Sequence, residues 1–277
     1  MSKVVLITGC STGIGRNLAQ RLSQSGYTVV ATARRIETLD DVPAVLKLPL
    51  DVTHPDSIDQ AVENTLQQFG RIDVLVNNAG YAVRGAIEEI SDEQVQKMFD
   101  VNVHGVMRMI RAVAPQMRRQ KAGTMINISS IAGKLSTPAN GTYSATKFAL
   151  EALSDALRIE LAPFGIHVVL IEPGSIKTQF ADTALAHAQE ILRNPASPYR
   201  VLYQQSDRFA AGMRQNEPGP DAVSRVIQQA IEANNPKARY LAGVPFSGRL
   251  VLHLGDSVWD AVLRRAFNSP PASPPSA

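Results

Sequence analysis

The stretch "VVLITGCSTGIGRNLAQRLSQSG", Val4 to Gly26, decides the fold. Its first five residues are a short apolar run of the kind that forms a buried strand, and residues 13 to 26 carry the spacing of an amphipathic helix closed by Gly26. Between them lie glycines at 9, 13 and 15. The spacing differs from the commoner G-x-G-x-x-G, but the physics is shared. Glycine permits a tight turn and a close backbone approach, and the start of the helix offers free N–H groups to a pyrophosphate. Cys10 sits inside this loop with no histidine beside it in sequence, and reads as a small filler rather than a nucleophile.

Working outward, short apolar strands alternate with longer helical patterns. The strands are "YTVVATA" (27–33), "VLKLPL" (45–50), "DVLV" (73–76), "TMINIS" (124–129), "IHVVLIE" (166–172) and "ARYLAG" (238–243). Helices are predicted over about 56–69, 92–119 and 142–161, and from near Pro220. This order predicts an α/β fold: one Rossmann-like, doubly wound domain with about seven parallel strands and helices on both faces of the sheet. Ligands of such sheets bind beyond the carboxyl ends of the strands. The segments found there are the glycine loop, Asp51-Val52-Thr53, "NNAG" (77–80), Ser130 and "PGSIKT" (173–178), so all five should line one crevice.

The βαβ rhythm fails from 180 to 220, where Phe180, Tyr199, Tyr203 and Phe209 stand among Leu, Ile and Pro. A long insertion after the sixth strand reads as a helical substrate lid, and its aromatic residues predict an apolar substrate. The amphipathic segment 249–267 is expected to pack on the domain or a partner subunit rather than on a membrane. The domain is expected to span 1–268, followed by a disordered Pro/Ser-rich tail at 269–277.

At 277 residues, 44% hydrophobic and 19% charged, the chain has a globular composition. Lys and Arg exceed Asp and Glu by 28 − 25 = 3, and the densest basic stretch, Arg108 to Lys121, alternates with apolar residues as a solvated helix face would. No nucleic-acid partner is expected. A single cysteine, no signal-peptide pattern and no apolar run near 18 residues predict a soluble, cytoplasmic protein. Histidines 54, 104, 167, 187 and 253 lack metal-ligand spacing, so no metal is expected, and Met98, Met107, Met109 and Met117 read as core or subunit-interface packing.

Within the helix of residues 142–161, Tyr143 and Lys147 lie four apart and share a face. A nearby ammonium favours the ionised form of a phenol, so the pair is a candidate tuned proton donor.

"TGCSTGIG", "NNAG", Ser130 and "YSATK" together resemble the short-chain dehydrogenase/reductase family over residues 4 to about 180, and within it the hydroxysteroid and retinol dehydrogenase-like branch. The resemblance fills four catalytic positions: Asn102 in "DVNVHG", Ser130 thirteen residues before Tyr143, Tyr143 itself and Lys147. It implies that Tyr143 exchanges a proton with the substrate oxygen while the nicotinamide carries hydride, that Ser130 bonds that oxygen, and that Lys147 tunes Tyr143 and holds the nicotinamide ribose. Asn102 would position a water linking Lys147 to solvent. It further implies that Gly9, Ser11, Thr12, Gly13, Ile14 and Gly15 hold the phosphates, with Asn78, Ala79 and Gly80 beside them. Asp51 and Val52 would hold the adenine, and Pro173, Gly174, Ile176 and Thr178 the carboxamide. Relatives commonly pair through the helices matching 92–119 and 142–161, which implies a homodimer or homotetramer.

Which nicotinamide is preferred rests on "ATARR" (31–35). NAD enzymes place a carboxylate at this strand end, whereas an arginine can hold a 2′-phosphate. Ala33 stands in the acidic position, and Arg34, with Arg35, follows it, so NADP(H) is expected. The expected activity is reduction of a hydrophobic ketone or aldehyde, or oxidation of the alcohol. The main alternative is a protein of the same fold that binds NADP(H) as a sensor without turnover.

Overall fold

Alternation along the strands builds a core on each face of one sheet. In β1 (Val4–Ile7), Val5 and Ile7 pack to one side, and Val4 and Leu6 to the other. A computed structural model describes residues 2–214, 217–252 and 255–268. The expected tail at 269–277 and His253 lie outside the described residues.

After β1 come α1 (Gly13–Gln24), β2 (Thr28–Ala33), β3 (Leu46–Pro49), α2 (Pro55–Phe69) and β4 (Val74–Asn77). Next are α3 (Asp92–Phe99), α4 (Gly105–Gln120), β5 (Gly123–Ile128), α5 (Gly141–Leu161) and β6 (Ile166–Pro173). The chain continues through α6 (Gln179–His187), α7 (Gln189–Arg193), α8 (Arg200–Arg214), α9 (Asp221–Glu232), β7 (Arg239–Ala242), α10 (Phe246–Val251) and α11 (Asp256–Asn268). The seven strands are all parallel, in the order β3-β2-β1-β4-β5-β6-β7. Leu18 and Leu22 of α1 and Ile227 and Ile231 of α9 cover one face, while α2, α4 and α5 cover the other through Ile58, Met109, Met117 and Leu161. The order reverses between β1 and β4, the place where a doubly wound sheet opens its crevice.

The helix expected over 92–119 is interrupted. α3 ends at Phe99, a π-helical turn occupies Asp100–His104, and α4 starts at Gly105. Extra residues of this kind are found mostly at functional sites, where they re-aim a side chain. Here the turn carries Asn102, which is buried. Met98, Met109 and Met117 are fully buried, as core packing requires.

The segment 180–220 supplies α6, α7 and α8. Tyr203 packs with Ala86 and Ala139 and its hydroxyl accepts the Ala86 N–H at 2.9 Å while donating to Glu89. Tyr199 joins the same cluster. α11 lies against α8, and Trp259 Nε1 donates to the Ser136 carbonyl at 3.1 Å, so the amphipathic C-terminal segment packs on its own chain. Among the described residues no helix is long and apolar enough to cross a membrane. α5 exposes Ala145, Phe148, Ala152, Ala156 and Ile159, whereas Leu157 packs against the core.

Candidate active site

The glycine loop closes against the end of β4 without space for side chains. Gly9 adopts φ +74°, and a Cβ there would stand 2.9 Å from the Ala79 Cα. At Gly15 a Cβ would meet the Gly9 carbonyl and lie 2.5 Å from Asn78 Nδ2. Thr8 completes the junction: its Oγ1 accepts the N–H groups of Asn78 and Ala79, both at 3.0 Å. Asn78 Nδ2 returns bonds to the carbonyls of Thr8 and Gly9, at 2.9 and 3.0 Å. Thr12 precedes α1 without capping it through its side chain, which leaves the helix's first N–H groups available to an anion. Cys10 is buried and its thiol is pushed up to about 12 by burial, so it is an inert filler.

A cavity of about 700 Å³ opens at this junction. Gly9, Ser11, Thr12, Gly13 and Ile14 form its floor, with Asp51, Val52, Asn78, Ala79 and Gly80 beside them. Pro173, Gly174, Ile176 and Thr178 close the far side, and Ser130, Tyr143 and Lys147 stand on the same wall. All five strand-end segments therefore meet in one crevice. Three expected residues do not line it. Gly15 lies beneath the loop, where its role is close packing; Arg35 points elsewhere while Arg34 reaches the wall; and Asn102 is buried behind it.

Tyr143 and Ser130 present neighbouring hydroxyls on this wall. Burial pushes the phenol well above its ordinary value, and the Ser130 hydroxyl beside it works against that rise. Lys147 stands on the same wall as Tyr143. Its Nζ is 5.7 Å from the Tyr143 ring centre and donates to the Ile128 carbonyl at 2.8 Å. Burial pushes the ammonium down to about 8, with the Glu151 carboxylate opposing. Asn102 is fully occupied: Oδ1 accepts the Tyr81 N–H at 2.8 Å, and Nδ2 donates to the Tyr81 carbonyl at 2.8 Å and to Thr146 Oγ1 at 3.1 Å. Its side chain thereby joins the loop after β4 to the residue preceding Lys147.

Among the described side chains of the 180–220 segment, Phe180 is the aromatic that reaches the cavity, its ring 5.8 Å from that of Tyr143, and the Phe209 side chain lies outside the described ones. Tyr203 turns away, its hydroxyl donating to Glu89, and Tyr199 packs beside it outside the cavity. Sequence reasoning missed one wall: Glu93, Gln96, Lys97 and Asp100 line the rim, with Lys97 Nζ 4.9 Å above the Tyr81 ring. Their spacing of three, one and three residues places them on one helix face, a signal present in the sequence. Among the described residues no group of His, Cys, Asp or Glu is arranged to hold a metal.

The profile of the short chain dehydrogenase family matches residues 3–189. A 3-ketodihydrosphingosine reductase from Bacteroides thetaiotaomicron is 44% identical over 241 residues, covering 87% of this chain and 88% of the relative. Human 17-beta-hydroxysteroid dehydrogenase type 1 is 35% identical over 288 residues, covering 97% and 87%. Among solved structures, a short-chain dehydrogenase from Streptomyces avermitilis superposes with a TM-score of 0.78 at 36% identity, covering 96% of this chain and 98% of that one. A short-chain dehydrogenase/reductase from Burkholderia phymatum in complex with NAD gives 0.78 at 27% identity, covering 100% and 98%. With two thirds of its length matched by the family profile and its seven-stranded parallel sheet shared with these structures, the chain belongs to the short-chain dehydrogenase/reductase family of oxidoreductases.

Proposed function

We propose that this oxidoreductase uses NADP(H) to interconvert a hydrophobic ketone or aldehyde and its alcohol. The observation that carries the reading is the pair of neighbouring hydroxyls, Tyr143 and Ser130, on the wall of a crevice whose floor is the glycine loop. The crevice suits a dinucleotide: the loop has no space for side chains, and the uncapped start of α1 faces an anion. Gly9 to Ile14 would hold the pyrophosphate, Asp51 and Val52 the adenine, and Pro173 to Thr178 the carboxamide. When bound, the nicotinamide supplies or accepts the hydride.

The chain's own residues handle the proton. Tyr143 Oη, protonated at neutral pH as an ordinary phenol is, gives its proton to the carbonyl oxygen in reduction and takes it back in oxidation. Ser130 Oγ donates to the same oxygen, where negative charge develops. Lys147 holds the ribose hydroxyls through an ammonium whose charge is present below about pH 8 and lost above it. Asn102 fixes the turn beside Thr146 rather than offering a free side chain. In this reading residues 1–268 form one domain and 180–220 covers the substrate, with Phe180 as its apolar wall. The names of the two relatives, one for a keto compound and one for a hydroxysteroid, agree with a carbonyl–alcohol pair on an apolar body.

A sensor without turnover would not need the proton donor. We expect Tyr143→Phe to lower ketone reduction roughly a hundredfold to ten-thousandfold while NADPH binding stays within a few-fold. Steady-state kinetics and a fluorescence titration decide it; a Phe variant with the parental rate removes Tyr143 from the mechanism.

The cofactor preference rests on Arg34, which lines the cavity and makes no hydrogen bond or ion pair among the described residues, with Ala33 before it. A charge-assisted hydrogen bond contributes about 1.5–3 kcal/mol, roughly ten- to hundredfold in affinity. Arg34→Ala should weaken NADPH by that factor and NADH little, and Ala33→Asp should shift preference toward NADH. Comparing kcat/KM for both cofactors checks this, and a parent that favours NADH contradicts it.

The exposed apolar stripe of α5, with Phe148 at 45% and Ile159 at 74% exposure, supports a homo-oligomer formed through α4 and α5. Light scattering should give at least a dimer at micromolar concentration, and Ile159→Glu should favour the monomer. A monomeric parent rules out this interface.

A further inference from the structure

One turn beyond Lys147 on α5 stands Glu151, buried at 5% exposure. Its stem and the backbone of Lys147 pack on the turn after Ser130: a Cβ added to Gly133 would stand 3.0 Å from Glu151 Cγ, 3.0 Å from Ser129 Oγ and 3.2 Å from the Lys147 carbonyl. Glu151 Oε2 accepts from Arg239 Nε at 3.0 Å and stands 3.1 Å from Lys134 Nζ. Glu172, two residues before Gly174 and 4% exposed, lies against the same cations, with Oε1 3.2 Å from Arg239 Nε and 3.9 Å from Lys134 Nζ. The two carboxyl groups lie against the same pair of cations, and burial, then the neighbouring Glu151 charge, pushes Glu172 up to about 7. Asp155, a further turn along α5, takes the other side of Arg239 at 2.7 Å and Arg158 at 2.8 Å.

The cluster joins the segments that carry the proposed chemistry. Lys134 follows the Ser130 turn, Glu151 shares a helix with Tyr143 and Lys147, Glu172 leads into the Pro173-Gly174 loop, and Arg239 lies on β7. Buried carboxylates persist only when paired. Residues four apart on a helix are neighbours, so Glu151 also faces Lys147, which burial otherwise drives toward the neutral amine.

We infer that Glu151 is a positioning residue for the proposed reaction: it supplies the counter-charge that keeps the buried Lys147 ammonium protonated at neutral pH, while Lys134 and Arg239 compete with Lys147 for that charge. The inference rests on the reading of Lys147 as the residue that holds the cofactor ribose. It separates Glu151 from a merely structural ion pair, because the two cations and Lys147 then draw on one carboxylate. Removing the carboxylate must make Lys147 easier to deprotonate, and removing a competing cation must make it harder.

The test is a pH titration of Lys147 in the full-length protein labelled with 13Cε-lysine, its resonance assigned by its loss in Lys147→Met. Glu151→Gln should lower the Lys147 midpoint by about one pH unit, the scale of one charge at helical-neighbour distance. Glu151→Asp should restore most of that shift. Lys134→Gln, at a half-exposed site, should move the midpoint upward, and it carries the test if Glu151→Gln does not fold. A Glu151→Gln midpoint at or above the parent's, or a Lys134→Gln midpoint that stays or falls, overturns the inference. The alkaline limb of kcat/KM for reduction should move with the same sign as the midpoint; a limb that stays while the midpoint moves overturns the positioning role. The titration needs no turnover, so its result stands apart from that of Tyr143→Phe.

Discussion

The site depends on the absence of a side chain at Gly15. A Cβ there would meet the Gly9 carbonyl and the Asn78 amide, so α1 could not start where it does and the end of β4 could not close on the loop. That contact lets Thr8 and Gly9 share four hydrogen bonds with Asn78 and Ala79 across the β1–β4 boundary. The boundary is the switch point of the sheet, and the crevice at the strand ends opens there because the strand order reverses. Everything placed around the crevice, from Asp51 to Thr178, inherits its position from parallel strands pinned at this junction.

Burial governs the electrostatics that follow. Tyr143 and Lys147 are desolvated in the same wall, and each is pushed toward its neutral form, the phenol upward and the ammonium down to about 8. An ordinary phenol is already protonated at neutral pH, so the rise makes Tyr143 a weaker acid, and the Ser130 hydroxyl works against it. For the lysine burial is a cost, because its proposed task needs the charge. The Ser130 hydroxyl and the Glu151 carboxylate are the groups that oppose burial at the two positions. Asn102 contributes through geometry, since the π-helical turn aims it inward at Tyr81 and Thr146.

Much of this was legible in the sequence because its signals are local. Apolar runs mark the strands, their carboxyl ends carry the glycine loop, "NNAG", Ser130 and "PGSIKT", and parallel topology brings such ends together. What stayed hidden depends on long-range contacts. Periodicity predicted one helix over 92–119, but the π-helical turn at Asp100–His104 comes from Asn102 bonding a loop twenty-one residues away. Tyr199 and Tyr203 count as substrate-facing by composition, yet they pack with Ala86 and Ala139, and Glu89 takes up the Tyr203 hydroxyl. On α5 the exposed stripe runs through Phe148 and Ile159, while Leu157 packs inward against the core. The pairing of Glu151 with Glu172 joins residues on a helix and a strand that no spacing rule connects.

A calorimetric titration with NADPH, run on the parent and on Gly15→Ala, tests the central claim that the crevice at this junction is a dinucleotide site. The account requires one saturable site per chain in the parent. In Gly15→Ala it requires binding weaker by at least about tenfold, since crowding a packed position costs about 1–3 kcal/mol. A parent that shows no saturable binding, or a Gly15→Ala chain that folds and binds NADPH as tightly as the parent, would contradict it.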